Sequence, residues 1–243
     1  MHLDLLGIRV DNLSGDEIEE RAMDFLKSDN LNQIATINPE FILEAQKDKD
    51  FKEALNRADL NIADGIGIKF AFWRFGKNLK KRIAGVDLMW NLLRIANKKK
   101  LSVFLVANEN GISSWQDTAE AIRKSYPDVK VRGINMGHYA FFFGSEIKNI
   151  IKDAKDCEIL FCNFGAPYQD KFIAELKKHK SNIRIAIGVG GSFDFISGKI
   201  IRAPRWMRRI GLEWLWRLII QPKRINRIFK AVIIFPIKII LNR

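Results

Sequence analysis

Residues 101–134, LSVFLVANENGISSWQDTAEAIRKSYPDVKVRGI, contain a strand, a helix and a second strand in succession. Leu101–Ala107 and Val129–Ile134 are short, apolar and rich in β-forming residues, which indicates buried strands. The segment between them, Ile112–Ser125, is predicted to be a helix. A helix that connects two strands allows them to pair in parallel, so this stretch predicts one unit of an α/β fold.

The same alternation extends in both directions from this unit. Ser14 and Glu17 form a capping box for a first helix, and Pro39 suits the first position of another. Further helices are predicted at 15–27, 48–58, 86–97, 145–154 and 168–178, and further strands at 33–37, 60–63, 159–163 and 183–189. Residues 1–198 are therefore predicted to form a Rossmann-like α/β domain, with a mostly parallel sheet and helices on both faces.

Residues 199–243 differ from the rest of the chain in charge. They hold 12 of the 41 Lys and Arg residues but only one of the 28 acidic residues, Glu213. Their net charge is +11, whereas residues 1–198 carry only +2 of the total +13. This segment is predicted to be a basic, amphipathic, helical appendage that meets an anionic partner.

Apolar residues of the appendage repeat at helical spacing opposite basic ones, which is typical of a helix lying in a membrane interface. The apolar set is Ile225, Ile228, Phe229, Val232 and Ile233, and the basic set is Lys223, Arg227 and Lys230. Ala231–Leu241 is too short to span a bilayer, and the N-terminus lacks the pattern of a signal peptide. The expected location is therefore cytoplasmic, peripheral on the membrane surface.

Three alternatives remain for the appendage. It could dock on its own body, bind nucleic acid through its charge, or form an interface in a homo-oligomer. Its dense aliphatic content argues against nucleic acid. Within the appendage, Arg209, Glu213 and Arg217 fall at i, i+4 and i+8, which predicts one helical stripe. Gln221 and Arg224 extend that stripe if the helix continues past Pro222, or if Pro222 begins a new helix in line.

Polar residues follow four of the predicted strands, where an open α/β sheet binds its ligands. Thr36 and Asn38 follow one strand, Asp64 a second, residues 163–169 a third and residues 188–194 a fourth. A carboxylate placed as Asp64 is can act as a general base, or it can cap the following helix. The sequence leaves these two interpretations of Asp64 equally open.

Other motifs favour structural interpretations. Gly188–Ser192 is glycine-rich like a phosphate loop but lacks the Walker lysine and the dinucleotide spacing, so a tight turn is favoured. Asp48 and Asp50 form a D-x-D pattern, yet helix capping is favoured over metal binding. His2, His138 and His179 have no ligand spacing, and Cys157 and Cys162 are expected to be buried free thiols. No metal and no cofactor are predicted.

An ordered set of short motifs resembles the WecG/TagA/CpsF glycosyltransferase family across nearly the whole chain, and is most similar to its TagA-type members. The set is 36–38 (TIN), 63–65 (ADG), 82–87 (RIAGVD), 165–169 (GAPYQ), 188–194 (GVGGSFD), 202–204 (RAP) and 211–215 (GLEWL), followed by Arg217, Pro222, Arg224 and Arg227.

The resemblance implies an inverting, metal-independent transfer of N-acetylmannosamine from UDP to N-acetylglucosamine on undecaprenyl pyrophosphate, which makes the β-1,4 linkage unit of wall teichoic acid. It implies Asp64 as the base. It implies donor-site roles for Thr36, Asn38, Arg82, Gln169 and Asp194. It implies that Arg217, Arg224 and Arg227 close over the site and neutralise phosphate.

The chain departs from the family pattern in places. It has Tyr168-Gln-Asp-Lys-Phe172 where the family usually has Lys-Gln-Glu-x-Trp, and Cys162-Asn163 replaces smaller or apolar residues. Some members of the family use UDP-glucose or an N-acetylmannosaminuronic acid donor, so these donors are the first alternative. A non-enzymatic module that binds anionic lipid or nucleic acid is the alternative from another class.

Overall fold

A single eight-stranded sheet forms the centre of the molecule. The computed structural model describes residues 1–139 and 144–242. The strand order is β1-β2-β4-β3-β8-β7-β5-β6, and all neighbours are parallel except the β1–β2 pair. The strands are β1 (His2–Leu5), β2 (Ile8–Asp11), β3 (Asn32–Ile37), β4 (Leu60–Ala63), β5 (Ser102–Asn108), β6 (Lys130–Met136), β7 (Ile159–Cys162) and β8 (Ile185–Gly188).

Helices connect the strands and then continue alone to the C-terminus. Those of the α/β part are α1 (Gly15–Phe25), α2 (Pro39–Ala45), α3 (Lys49–Asn56), α4 (Ile66–Arg74), α5 (Gly85–Lys99), α6 (Trp115–Ser125), α7 (Gly144–Asp153), α8 (Tyr168–Leu176) and α9 (Ser192–Ile196). Those that follow are α10 (Arg205–Ile210), α11 (Glu213–Ile220), α12 (Ile225–Phe229) and α13 (Phe235–Leu241).

Buried side chains cover both faces of the sheet, because successive residues of a strand point to opposite sides. In β5, Val103 and Leu105 pack with α5 and α6, whereas Phe104 and Val106 pack with α7 and α8. The strands β3, β4, β7 and β8 are buried almost throughout. The predicted fold class, a mostly parallel sheet with helices on both faces, is confirmed.

Local signals in the sequence also set the helix boundaries. Ser14 and Glu17 form the predicted capping box, Pro39 begins α2, and Asp48 caps α3 by accepting a hydrogen bond from the Phe51 N–H at 3.0 Å. The prediction that Asp48 caps a helix is confirmed, and its carboxylate also pairs with Lys171 at 2.7 Å.

Besides the short helix α9, two parts of the described fold were not among the predicted elements. The first is the hairpin of β1 and β2, whose Leu3, Leu5, Ile8 and Val10 are buried in alternation around a turn at Leu6 and Gly7. The second is α4, which begins after Gly65 without a side-chain cap. Its sequence, IGIKFAFWR, lacks the polar positions by which an amphipathic helix is recognised.

The structure corrects the stripe predicted for Arg209, Glu213 and Arg217. Gly211 adopts a φ of +86° and ends α10, so Arg209 lies on a different helix from the other two. Glycine is favoured there because a side chain is strained at such a φ, and an added Cβ would also lie 3.0 Å from Ile66. Within α11, the guanidinium of Arg217 does lie 4.0 Å from the Glu213 carboxylate.

The last helical stretch runs from Ile225 to Leu241 through a π turn at Lys230–Ile234. Pro236 has no N–H to give to the carbonyl four residues earlier, and local rearrangement of the helical ladder is the usual response. Phe235 and Ile239 are fully buried in the cluster that contains Ile42, Ile68 and Phe72. The end of the chain is therefore packed on α2 and α4.

Across the two described ranges, no helix has both the length and the apolar character needed to cross a bilayer.

Candidate active site

A cavity of about 430 Å³ opens where the strands end. The ends are level, because Ile37 of β3 pairs with Ala63 of β4, and Cys162 of β7 pairs with Gly188 of β8. Residues that follow β3, β4, β5, β7 and β8 all line the cavity, and α11 and α12 close it from the C-terminal side. The structure therefore brings the predicted site residues together around one pocket.

Asp64 lies deep in this pocket, at the end of β4. Its backbone N–H donates to the carbonyl of Ile37 at 2.7 Å, which holds it beside the end of β3. The N-cap of α4 is Gly65, at a φ of +84°, and no side chain caps that helix. The interpretation of Asp64 as a helix cap is therefore wrong.

The pKa of Asp64 is raised to about 6, first by burial and second by the negative charge of Glu213. Arg217 and Arg82, which are nearby, oppose the rise, as does a hydrogen bond from the Gly65 N–H. A carboxylate with a pKa near 6 is ionised at neutral pH and is a stronger base than an exposed aspartate.

Thr36, Asn38 and Arg82 surround Asp64. Thr36 is buried at the end of β3, and the side-chain oxygen of Asn38 caps α2 by accepting from the Phe41 N–H at 3.0 Å. Arg82 is placed by the Ile83 N–H, which donates to the Ala63 carbonyl at 3.0 Å. The guanidinium of Arg82 also donates to the Arg208 carbonyl at 2.7 Å, which ties it to α10.

Gln169 lies on the wall of the pocket but is almost fully buried. Its side-chain oxygen accepts hydrogen bonds from the N–H groups of Gly165, at 3.1 Å, and Gly190, at 2.9 Å. It therefore holds together the turns that follow β7 and β8. Gly188 must lack a side chain because an added Cβ would lie 2.4 Å from the Gln169 amide nitrogen.

The glycine-rich segment at 188–192 forms a tight turn into α9, with Gly190 at a φ of +48°. Asp194, on α9, accepts a hydrogen bond from the buried Ser113 hydroxyl at 2.8 Å. One face of this turn points into the pocket, and a side-chain Cβ at Gly191 would lie 3.7 Å from both Arg224 and Asp194. A ligand can therefore approach the backbone of this turn closely, between the cation of Arg224 and the anion of Asp194.

Three arginines of the C-terminal segment, Arg217, Arg224 and Arg227, reach the pocket from one side. Arg224 is mostly buried and makes no ion pair or side-chain hydrogen bond with any described residue. Burial and the charges of its two neighbours lower its pKa to about 10. Like charges crowded in this way favour a strongly anionic ligand.

Arg217 and Arg227, which flank Arg224 in the sequence, are held by two contacts that were not predicted from the sequence. Arg227 pairs with Glu40 of α2 through contacts of 2.6 and 2.7 Å. Arg217 lies over the ring of Phe195, with its guanidinium carbon 4.7 Å from the ring centroid. Glu40 is 187 residues from Arg227 in the chain, and no sequence periodicity links them.

Among residues 1–139 and 144–242, no group of three or more His, Cys, Asp or Glu side chains is placed to hold a metal ion. Cys157 and Cys162 are buried free thiols, as predicted, and burial raises the pKa of Cys157 to about 11. The polar groups that line the pocket are therefore carboxylates, amides and hydroxyls, together with a cluster of guanidinium groups.

Comparison with known proteins agrees with this geometry. The model of the glycosyl transferase WecG/TagA/CpsF family matches residues 3–243. The chain is 35% identical to the N-acetylglucosaminyldiphosphoundecaprenol N-acetyl-beta-D-mannosaminyltransferase of Bacillus subtilis (strain 168) over 210 residues, which is 84% of this chain and 80% of that protein. It is 30% identical to the enzyme of the same name from Staphylococcus aureus (strain MRSA252) over 241 residues, 98% of this chain and 91% of that protein.

Asp170 is a second titratable group beside the pocket. It is fully buried, and neither of its carboxylate oxygens has a hydrogen-bond partner within the described residues. Gln33 Nε2 donates to its backbone carbonyl at 3.3 Å, while Gln33 Oε1 also lacks a donor. Burial raises the pKa of Asp170 to about 7, although the Gln169 side chain opposes the rise. When protonated, the Asp170 carboxyl carries an O–H donor, which the ionised carboxylate lacks.

We expect Asp170→Asn to gain stability relative to the wild-type protein as pH rises from 5 to 8. The folded protein holds the Asp170 proton up to about pH 7, whereas the unfolded chain releases it near its ordinary pKa of about 4, so this contribution to stability is lost as pH rises. Asparagine has no proton to lose. Each unit of pKa shift corresponds to about 1.4 kcal/mol, so the relative gain is expected to reach a few kcal/mol.

The measurement is urea unfolding of both proteins at pH 5 and pH 8. A difference in free energy of unfolding between them that stays constant with pH contradicts the assignment.

Proposed function

Since the chain belongs to the WecG/TagA/CpsF family of glycosyltransferases, we propose that it transfers N-acetylmannosamine from UDP to N-acetylglucosamine on undecaprenyl diphosphate. The names of its relatives support both the sugar and the acceptor, since those proteins match it over most of their length. The product is the disaccharide linkage unit of wall teichoic acid.

The observation that carries this proposal is the placing of one base opposite three arginines in a single pocket. Asp64 is positioned to take the proton from the acceptor hydroxyl as its oxygen attacks the anomeric carbon. The new C–O bond forms as the bond from that carbon to the UDP oxygen breaks, and UDP leaves with the bonding electrons. Attack on the face opposite the leaving group inverts the anomeric configuration.

The leaving diphosphate gains negative charge in this step. Arg217, Arg224 and Arg227 supply positive charge where it develops, and guanidinium groups bind phosphate oxygens in a bidentate way. We assign to the donor Thr36, Asn38 and Arg82, which line the pocket together with Asp64. Gln169 and the glycine turns form a wall that lets the donor approach the backbone closely. Asp194 contacts the uracil.

Residues 199–243 are proposed to act as one appendage that completes the site and also binds the membrane. Ile225, Phe229, Ile233 and Ile237 recur every four residues along the last helical stretch, and each is between 44% and 59% exposed. Exposed basic residues accompany them, among them Lys223, Lys230 and Lys238. This face suits an anionic bilayer on the cytoplasmic side, where an undecaprenyl-linked acceptor is available.

The first test is transfer itself. The wild-type chain is incubated in EDTA with a lipid-linked N-acetylglucosamine acceptor and, separately, with UDP-N-acetylmannosamine, UDP-glucose or the UDP-N-acetylmannosaminuronic acid donor. We expect UDP release only with the first donor. The Asp64→Asn variant is expected to lose about 10²–10⁴-fold in kcat, because it removes the general base. Turnover with another donor overturns the sugar assignment, and full activity of Asp64→Asn overturns the base.

A second test concerns the phosphate contacts. Arg224→Ala should lower kcat/KM by roughly 10- to 100-fold, because a charge-assisted hydrogen bond contributes about 1.5–3 kcal/mol. The matched control is Lys223→Ala, which removes an exposed cation from the same turn outside the pocket. With a detergent-dispersed acceptor, equal losses in the two variants would argue for general charge attraction instead.

A third test concerns the membrane face. Ile225→Ser combined with Phe229→Ser should weaken binding to phosphatidylglycerol-containing vesicles about tenfold or more, since two half-exposed apolar side chains no longer enter the interface. Ile112→Ser is the control, because Ile112 is similarly exposed, at 54%, on the pocket rim. Vesicle co-sedimentation measures the effect, and unchanged binding of the double variant contradicts this assignment of the face.

A further inference from the structure

Glu213 is an acidic residue within the basic C-terminal segment, and it is placed inside the pocket. It is the first residue of α11, directly after the turn at Gly211, and its side chain is 15% exposed. It lines the same cavity as Asp64. Among the described residues, the pocket is therefore shared by four arginines and four carboxylates, those of Glu40, Asp64, Asp194 and Glu213.

The contacts of Glu213 place it between two of these arginines. Arg202 Nε donates to one of its oxygens at 3.2 Å, and Arg217 Nη2 lies 4.0 Å from the same oxygen. Arg202 is not available to Glu213 alone, because it also makes a bidentate pair with Asp87 of α5 at 2.6 and 2.7 Å. Its single positive charge is thus shared between a carboxylate of the body and a carboxylate of the C-terminal segment.

Because Arg202 is shared with Asp87, it offsets the negative charge of Glu213 only in part. Glu213 therefore still acts electrostatically on its neighbours. The charged groups around Asp64 are Glu213 and Arg217 on α11 and Arg82 before α5, and the Gly65 N–H also points at it. The charged groups around Glu213 are Arg202 and Arg217. Asp87 lies beyond Arg202, and the Arg208 guanidinium lies 3.9 Å from the Asp87 carboxylate. Glu213 is the group in this set that makes Asp64 more basic, against two arginines that make it less so.

We propose that Glu213 is a positioning residue of the transfer reaction, which holds Arg217 at the pocket and keeps a negative charge among the arginines that stabilise the leaving diphosphate. This inference rests on the proposed function. The problem it solves is general, because cations that stabilise a leaving group also weaken a nearby carboxylate base. A second carboxylate, anchored by Arg202, offsets that effect without touching the reacting atoms.

The experiment compares the pH dependence of kcat/KM in wild type and Glu213→Gln. The wild-type acid limb is expected near pH 6, the pKa of Asp64. Removal of the Glu213 charge lowers that pKa, so the acid limb of the variant should move to lower pH by roughly half a unit or more. Its rate on the alkaline plateau should fall severalfold, because Asp64 becomes a weaker base.

The matched control is Glu40→Gln. Glu40 also lines the pocket and also pairs with an arginine of the C-terminal segment, but it is not among the groups that shift the pKa of Asp64. The acid limb of the Glu40→Gln profile should stay at the wild-type pH, whether or not its kcat/KM falls. Glu213→Asp, which keeps the charge, should restore most of the wild-type profile.

An acid limb in Glu213→Gln that is unmoved, or that moves to higher pH, overturns the inference. A direct titration of the Asp64 carboxyl by NMR in the two proteins separates this inference from the proposed function. If wild type transfers no sugar, the proposed function fails, while the NMR pKa of Asp64 must still fall in Glu213→Gln. Thermal unfolding of both proteins shows that each remains folded during these measurements.

Discussion

The burial of Phe235 and Ile239 against α2 and α4 determines where the C-terminal segment lies. Both side chains are fully buried, and complete burial of such a residue contributes about 1.5–3 kcal/mol. The Phe235 ring lies in van der Waals range of α4, since a Cβ on Gly67 would lie 3.4 Å from the ring. The helices that precede this anchor, α11 and α12, line the pocket. The apolar contact therefore acts together with the Arg227–Glu40 pair and the Arg217–Phe195 contact to hold the arginines there.

Charge balance is the second constraint, and it operates inside the pocket. Three arginines face one another, and burial with mutual repulsion lowers the pKa of Arg224. The structure tolerates this repulsion because Glu40 and Glu213 each face one of the outer arginines. Arg224, between them, is left without a carboxylate partner in the described chain. Because the Arg224 guanidinium makes no ion pair there, its charge is available to the diphosphate of the proposed donor.

Much of the fold could be predicted from the sequence because its central strands are buried on both sides and read as uninterrupted apolar runs. Their ends also indicated Thr36, Asn38, Asp64 and Asp194, since the site of an open parallel sheet is set by where strands stop. The hairpin was missed although Leu3, Leu5, Ile8 and Val10 alternate, because each of its strands has only four residues. The inward turn of Gln169 and the pairing of Arg227 with Glu40 depend on contacts between distant segments, which no local pattern encodes.

The last helical stretch has one face packed on the body and one face exposed, and under the proposed function this connects the membrane to the chemistry. Ile228 and Phe235 point inward, while Ile225, Phe229 and Ile233 point outward. A surface that binds the outward face favours the ordered, docked helix over any other arrangement of the segment, by the free energy of that binding. The docked segment is what carries Arg217, Arg224 and Glu213 to Asp64, and it also supplies the Arg208 carbonyl that holds Arg82. If the outward face binds lipid as proposed, that binding and the assembly of the charged pocket are one equilibrium, in which each favours the other.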